Sequence, residues 1–299
     1  MNEIFNVLLL QNTLRTATPV IIAGLGCLLT QHVNMTNIGI EGMMLLGAFF
    51  AVFGSYTFGS FYAGLLFAVG IGLLCGLIYY IWVVVFESDE FIIGVAFNLL
   101  AAGLTVYLLR TLFDVKGSFS DPAISPLPTI TIPFISNIPF LGDLLSGHTL
   151  LVYVSWILVF VLFIVLYKTP FGFHLRATGE NPSAISACGL SPLRYQRIAS
   201  ILCGGLASLA GAHLSLGYLT MFSENMTAAR GYVAFACVIL GRGNPILVSL
   251  AALLFGFIDA LGLRMQRYIP NDITAMAPYL ITIIMMIISV RIQHKKKGR

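Results

Sequence analysis

Charged residues are scarce in this chain. Asp, Glu, Lys and Arg make up 9% of its 299 residues, whereas a globular domain averages about 25%. Apolar residues account for 58%, and the mean hydropathy is +0.94. This composition excludes an ordinary water-soluble domain and predicts an all-α, polytopic helical membrane protein.

The sequence also lacks the signatures of metal, thiol and nucleotide chemistry. Its five cysteines are scattered, and no two have the spacing of a metal site, so each is expected to be a small buried hydrophobic residue. No G-x-x-x-x-G-K-[ST], HExxH, CxxC or Gly-x-Ser-x-Gly pattern occurs. An intramembrane enzyme is therefore disfavoured, and neither a cofactor nor a metal is expected. If ATP drives this protein, the ATPase is another chain.

Long apolar stretches fill most of the sequence. A membrane-spanning helix needs about 20 apolar residues, and nine spans are predicted, within a range of eight to ten: 5–30, 38–57, 60–86, 91–110, 149–167, 196–218, 228–241, 245–264 and 272–290. The span 228–241 is short. It is expected to be a half-helix or a re-entrant segment, which a membrane tolerates where it lines a cavity.

The distribution of basic residues predicts the orientation. Nine of them fall in the segment 168–197 and in the tail 291–299, which are both expected to be cytoplasmic by the positive-inside rule. The proline-rich segment 111–148 then forms a structured external loop, and the N-terminus lies outside. The whole chain, 1–299, is expected to be one transmembrane domain.

Small residues recur at helical spacing in two spans. Gly64, Ala68, Gly72 and Gly76 form one row, and residues 204–215 hold another. Such rows allow helix backbones to approach closely within a membrane, so internal packing is the favoured interpretation and a subunit interface the alternative. A glycine turn followed by a helix at 36–48 is echoed at 226–232, which is consistent with an inverted repeat.

A few polar residues interrupt the apolar spans and are candidates for the substrate pathway. Glu41 precedes an uncharged run that ends only at Glu87. It can line the pathway or its gate, or it can satisfy a helix N-terminus, where a carboxylate is favourable. Asn98 can bind a substrate hydroxyl or join two helices. The other candidates are Asn37, Ser223, Glu224, Asn225 and Thr227. The last four precede the short span, whose first N–H groups would be free to bind a polar substrate.

The basic segment 168–197 contains a short capped helix. Asn181 suits an N-cap, Pro182 the first helical position and Gly189 the C′ position, which predicts a helix at 182–188. A helix this short is not stable alone, so it must pack on something. A docking element and an ordinary charged loop are equally compatible with these residues.

Three motifs in order resemble one family. Residues 37–43 read Asn-Ile-Gly-Ile-Glu-Gly-Met, residues 176–182 read Arg-Ala-Thr-Gly-Glu-Asn-Pro, and residues 222–231 read Phe-Ser-Glu-Asn-Met-Thr-Ala-Ala-Arg-Gly. Together they resemble the permeases of simple-sugar and nucleoside ABC importers, which are related to ribose and branched-chain amino-acid permeases. The resemblance covers about residues 9–290, and it is greatest to the shorter of two paired nucleoside permeases.

The resemblance implies a type II-like permease subunit in a bacterial plasma membrane. It implies three partners: a second permease, most simply in a heterodimer, a cytoplasmic ATPase and an extracellular substrate-binding protein. No nucleic acid is expected to bind. Segment 168–197 would be the coupling loop that meets the ATPase. Its candidate coupling residues are Arg176, Gly179, Glu180, Asn181, Pro182, Ala184, Ala187 and Gly189.

Three alternatives remain beside the nucleoside permease. A branched-chain amino-acid permease is the nearest. An autonomous secondary transporter would need an intramembrane ion-coupling cluster, for which Glu41 and Asp259 are the main acids. A membrane scaffold would not need two glycine-broken helices in related positions.

Overall fold

The chain is a helical bundle. The computed structural model describes residues 7–131 and 141–266. The helices in these residues are α1 Val7–His32, α2 Ile40–Phe58, α3 Phe61–Tyr80, α4 Glu90–Phe113, α5 Leu141–Leu145, α6 Leu150–Lys168, α7 Pro170–Glu180, α8 Pro182–Ala187, α9 Pro192–Ala212, α10 Arg230–Gly241 and α11 Pro245–Met265. Two π-helical turns extend α3 and α9, at Ile81–Val85 and His213–Leu219.

The predicted spans match the helices closely. Seven helices in the described residues are long and apolar enough to cross a membrane, and each coincides with one predicted span. The short span 228–241 is observed as the 12-residue helix α10. The ninth span, 272–290, and the tail 291–299 lie outside the described residues.

Two helices begin after irregular segments. Residues 33–39 precede α2, and residues 224–229 precede α10. From these starting points, α2 and α10 run to opposite ends of the bundle. Near the end of α2, the Ser55 hydroxyl donates to the Ser125 carbonyl at 3.1 Å, whereas just beyond α10 the Gly243 carbonyl lies 2.9 Å from Nε2 of His32, the last residue of α1. Both helices therefore start at neighbouring points of the bundle and run in opposite directions, and α10, with 12 residues, is the half-helix of the two.

Reciprocal packing relates the two halves of the chain. Helix α3 packs along α9, and α1 packs along α11. A hydroxyl donates to a glycine carbonyl in both pairs: Ser200 to Gly76 at 2.8 Å, and Thr16 to Gly256 at 2.9 Å. An inverted repeat of α1–α4 and α9–α11 would produce this exchange of partners. The expected counterpart of α4, span 272–290, lies outside the described residues.

The rows of small residues lie at internal helix contacts. A Cβ atom added to Gly72 would lie 2.4 Å from the Gly204 carbonyl oxygen, and one added to Gly204 would lie 2.2 Å from the Gly72 carbonyl oxygen. The backbones of α3 and α9 therefore touch. The internal-packing interpretation of these rows is confirmed.

Short strand pairs order the segment after α4. Strand β1, Ser118–Phe119, pairs antiparallel with β4, Phe222–Ser223, and β2, Thr129–Ile130, pairs with β3, His148–Thr149. The described part of the predicted loop 111–148 is thus structured, as expected, and residues 132–140 lie outside the description.

The expectation of five buried cysteines is wrong at one position. Cys27, Cys75, Cys203 and Cys237 are buried, but Cys188 is exposed. It follows α8 directly, at a turn where the chain has little to pack against.

Candidate functional site

Glu41 lies at the junction between the starts of α2 and α10. Its Oε1 accepts a hydrogen bond from the Ala229 N–H at 2.8 Å, and its Oε2 accepts one from the Gly231 N–H at 2.6 Å. Ala228 and Ala229 have left-handed backbones, with φ of 46° and 61°, which turn the chain into α10. A carboxylate here meets the positive end of the helix dipole. The capping interpretation of Glu41 is confirmed, and these two N–H groups are not free for a substrate.

Asn98, on α4, ties the same junction together. Its Oδ1 accepts from the Gly42 N–H at 2.7 Å, while its Nδ2 donates to the Ile38 carbonyl at 3.0 Å and to the Tyr232 hydroxyl at 2.9 Å. One amide thus binds the start of α2 and the first turn of α10. The helix-joining interpretation of Asn98 is confirmed.

Asn37 lies deeper, beneath α2. It is fully buried, and its Nδ2 donates to the sulfur atoms of Cys203 at 3.4 Å and Met43 at 3.7 Å. Among the described residues its Oδ1 has no hydrogen-bond partner. The side chain packs the irregular segment 33–39 against α9.

The remaining pathway candidates lie between the junction and the strand pair. The Glu224 carboxylate accepts from the Gly117 N–H at 3.1 Å, and the Ser223 hydroxyl donates to the Gly117 carbonyl at 3.5 Å. Asn225 is exposed, and Thr227 is buried next to the start of α10. The structure therefore groups Glu41 and Asn98 at one junction and uses Ser223 and Glu224 to hold the segment after α4.

An ion pair at the junction was missed from the sequence. Nη2 of Arg230 lies 3.3 Å from Oδ2 of Asp259, on α11. The two residues are 29 positions apart in the chain. The available signal was that Arg230 and Asp259 are charged residues within or beside apolar helices.

The predicted capped helix of segment 168–197 is present as α8. The Asn181 Oδ1 accepts from the Ala184 N–H at 3.1 Å, Pro182 is the first helical residue, and Gly189 has a φ of 77°. Ile185 is its buried residue, and its other side chains are exposed. The helix is therefore a knob whose small residues point away from the bundle.

A second helix in this segment was missed. Helix α7 begins at Pro170, after the N-cap Thr169, whose hydroxyl accepts from the Gly172 N–H at 3.3 Å. The pair Thr169-Pro170 carries the same helix-start signal as Asn181-Pro182.

The candidate coupling residues divide into two groups. Arg176 and Gly179 face the bundle: the Arg176 guanidinium lies 4.8 Å from the centroid of the Tyr167 ring, and a Cβ on Gly179 would lie 2.3 Å from the His32 carbonyl oxygen. The others are exposed at the tip: Glu180, Asn181, Pro182, Ala184, Ala187 and Gly189. A groove of about 600 Å³ lies beside α8, and residues between Pro182 and Gln196 line it.

Replacing Glu41 by glutamine is expected to destabilise the junction. The amide oxygen can accept from one N–H, but its NH₂ group then faces the other, and a buried donor without an acceptor costs about 1–3 kcal/mol. We expect a lower melting temperature of the purified protein. Glu87→Gln, at an exposed carboxylate, is the control, and equal melting temperatures of the two variants would contradict the capping role.

Ligating clusters are absent from the part of the chain that the structure describes. No three His, Cys, Asp or Glu side chains within residues 7–131 and 141–266 come together in a way that could hold a metal ion.

Comparisons with known proteins converge on membrane permeases. A family model described as the permease component of a branched-chain amino acid transport system matches residues 9–290. The guanosine ABC transporter permease protein NupQ of Bacillus subtilis is 31% identical, covering 91% of this chain and 88% of its own. The nucleoside ABC transporter permease protein NupC of Lactococcus lactis is 30% identical, covering 93% and 91%.

A third relative differs in its named substrate. The putative glucose ABC transporter permease protein TsgC13 of Haloferax volcanii is 31% identical, covering 86% of this chain and 78% of its own. No solved structure matches the chain.

Proposed function

The chain belongs to the family of permease components of branched-chain amino acid transport systems, and we propose that it forms part of the translocation path of an importer of nucleosides. It is a non-catalytic integral membrane subunit of an ABC transporter. The family implies an ATPase on a separate chain and a paired permease.

One observation carries the nucleoside assignment. Two relatives named for guanosine and nucleoside transport match more than nine tenths of the chain at 30% identity or above. A simple sugar is the second candidate, because the glucose permease relative has the same identity as the guanosine one over less of the chain. Ribose is the sugar of every ribonucleoside, so a ribose-like sugar would fit the same chemistry.

The proposed assembly has four kinds of subunit. This permease pairs with a second, similar permease in a heterodimer, an extracellular protein delivers the substrate, and a cytoplasmic ATPase contacts the segment 168–197. In this orientation the loop 111–148 and the N-terminus are external and the C-terminus is cytoplasmic. The basic residues of 168–197 and 291–299 support it.

Contacts between the coupling segment and α10 suggest how motion reaches the junction. Gly179 packs on the backbone of His32, and the Gly243 carbonyl, just beyond α10, lies 2.9 Å from the His32 ring and 3.2 Å from the Tyr167 hydroxyl. Helix α10 is about 18 Å long, and its other end is held by Glu41. A shift of the coupling segment can thus move α10 as a rigid rod.

The mechanism that follows is alternating access. ATP binding brings the coupling segments of the two permeases together and opens the path outward, and hydrolysis resets it. The permease needs only weak substrate contacts, since capture belongs to the external protein.

Uptake measurements test this function. Cells with and without the gene are given labelled nucleosides, ribose or leucine, once with ATP depleted and once with the proton gradient collapsed. We expect nucleoside uptake that requires this chain and ATP and survives loss of the gradient. Uptake of ribose or leucine alone would reassign the substrate, and uptake that follows the gradient would indicate a secondary transporter.

A further inference from the structure

The Arg230–Asp259 ion pair lies at an unusual place for charged groups. Arg230 begins α10, about 16 Å along the helix axis from Gly241, and Asp259 is about 21 Å from Pro245 at the start of α11. The hydrocarbon core of a bilayer is about 30 Å thick. Both charges are therefore placed well inside the membrane-spanning part of the bundle.

The pair is not sealed within the protein. The side chain of Arg230 is 24% exposed and that of Asp259 is 33% exposed. Elsewhere the exposed side chains of the long helices include many large apolar residues, such as Leu66, Leu99 and Phe160, which suits contact with lipid. A charged pair facing lipid is costly, so such residues face a water-filled cavity or another subunit. The exposed side of this ion pair therefore faces the translocation path or the subunit interface beside it.

The two side chains retain hydrogen-bonding capacity. Arg230 donates to Asp259 at 3.3 Å and to the Thr227 carbonyl at 3.4 Å. Both contacts exceed the length of about 2.7–2.9 Å that is typical of charge-assisted hydrogen bonds. A guanidinium has five N–H donors and a carboxylate can accept at both oxygens. The pair can thus offer donors and acceptors side by side to a ligand.

A sugar with adjacent hydroxyls matches this chemistry. Each hydroxyl donates one hydrogen bond and accepts others, so a carboxylate can accept from two neighbouring hydroxyls while the guanidinium donates to their oxygens. Glu41, whose two oxygens each accept from a backbone N–H group, and Asn98, which makes three hydrogen bonds, are already engaged in holding the protein's own backbone. They hold the start of α10 in position instead.

We propose that Arg230 and Asp259 form a contact site in the translocation path for the ribose 2′- and 3′-hydroxyls of a nucleoside. The inference rests on the proposed nucleoside transport, and it assigns binding of the ribose part of the substrate to this chain. The nucleobase is left to other surfaces of the path. The contact is transient. The substrate hydroxyls form and break their hydrogen bonds while Arg230 and Asp259 stay paired with each other.

The test compares a nucleoside with its 2′,3′-dideoxy analogue at saturating concentrations. The external binding protein is unchanged throughout, so a change in the ratio of the two uptake rates between wild type and variant reports on the permease. The double variant Arg230→Gln/Asp259→Asn removes both charges and leaves neither unpaired. We expect it to lower nucleoside uptake about tenfold, because a hydrogen bond to a charged group is lost. Uptake of the dideoxynucleoside should change little, because that substrate lacks the two hydroxyls.

Two further variants complete the experiment. Asp259→Asn alone is nearly isosteric and is judged by the same ratio, so that poor folding of the double variant leaves the proposal testable. Arg242→Gln, at an exposed arginine just beyond the other end of α10, is the matched control and should leave both rates unchanged.

The outcomes separate the possible failures. Wild-type cells that take up no nucleoside would refute the proposed function. Nucleoside uptake in the wild type with equal falls for both substrates in the variants would overturn the contact site and leave the function standing. Loss of the paired permease from the purified variant complex would instead assign the ion pair to the subunit interface, and would also overturn the proposal.

Discussion

Replacing Gly72 by valine is expected to lower the accumulation and the melting temperature of the folded permease strongly, whereas the same replacement at Gly70 is expected to be tolerated. A Cβ on Gly72 would lie 2.4 Å from the Gly204 carbonyl oxygen and 2.6 Å from the Ser208 Cβ, but nothing lies within 4 Å of a Cβ on Gly70. Both substitutions place the same β-branched residue on α3, two positions apart. The difference between them isolates the contact with α9.

The expected loss at Gly72 is large because a backbone cannot move aside as a flexible side chain can. To admit valine, α3 and α9 must separate, and overpacking in a close-packed interior costs about 1–3 kcal/mol or more. Separation also stretches the hydrogen bond from Ser200 to the Gly76 carbonyl, 2.8 Å in the structure. Proteins are stable by only about 5–15 kcal/mol, so one such change removes a large part of the free energy that keeps the permease folded.

The measurement is the amount of monodisperse permease recovered from membranes, with the melting temperature of what is recovered. Gly256→Val extends the test to the other half, because a Cβ there would lie 2.5 Å from the Ala17 Cβ. Equal recovery of the Gly70 and Gly72 variants would show that α3 and α9 do not touch at this glycine.

The features predictable from the sequence are those that local spacing determines. Apolar length placed the spans, because it is a property of about 20 consecutive residues. The small residues every four positions indicated a close-packed face, and the side chains of Asn181 and Pro182 defined the start of α8 within three residues of chain. In each case the residues that carry the signal are near neighbours.

The contacts of the site were less predictable because they join distant residues. Glu41 was expected to satisfy a helix N-terminus, but nothing near it shows that the helix is α10, which starts 189 positions later. Likewise Arg230 and Asp259 meet only because α10 packs on α11. Such pairings follow from how the two halves of the bundle fit together, which a single sequence does not state.

Deleting residues 182–187 is expected to abolish ATP-driven transport while the permease remains folded and inserted. The deletion removes α8, in which only Ile185 is buried, so little internal packing is lost. If the exposed tip of this helix fits a groove of the ATPase, its removal disconnects ATP hydrolysis from the path. Substrate-stimulated ATP hydrolysis by the purified complex is the measurement, and we expect stimulation to vanish.

A single substitution tests the same coupling role of α8 without shortening the chain. Ala184 is exposed on α8, so tryptophan there meets nothing within the permease and acts only on a partner that packs closely against it. Ala123→Trp, at an exposed alanine in the segment after α4, is the matched control. We expect Ala184→Trp to lower stimulated hydrolysis at least tenfold, about 1.4 kcal/mol, and the control to match wild type. Normal stimulation in both the deletion and Ala184→Trp would remove the coupling role of α8, because no contact with the ATPase could then depend on this helix.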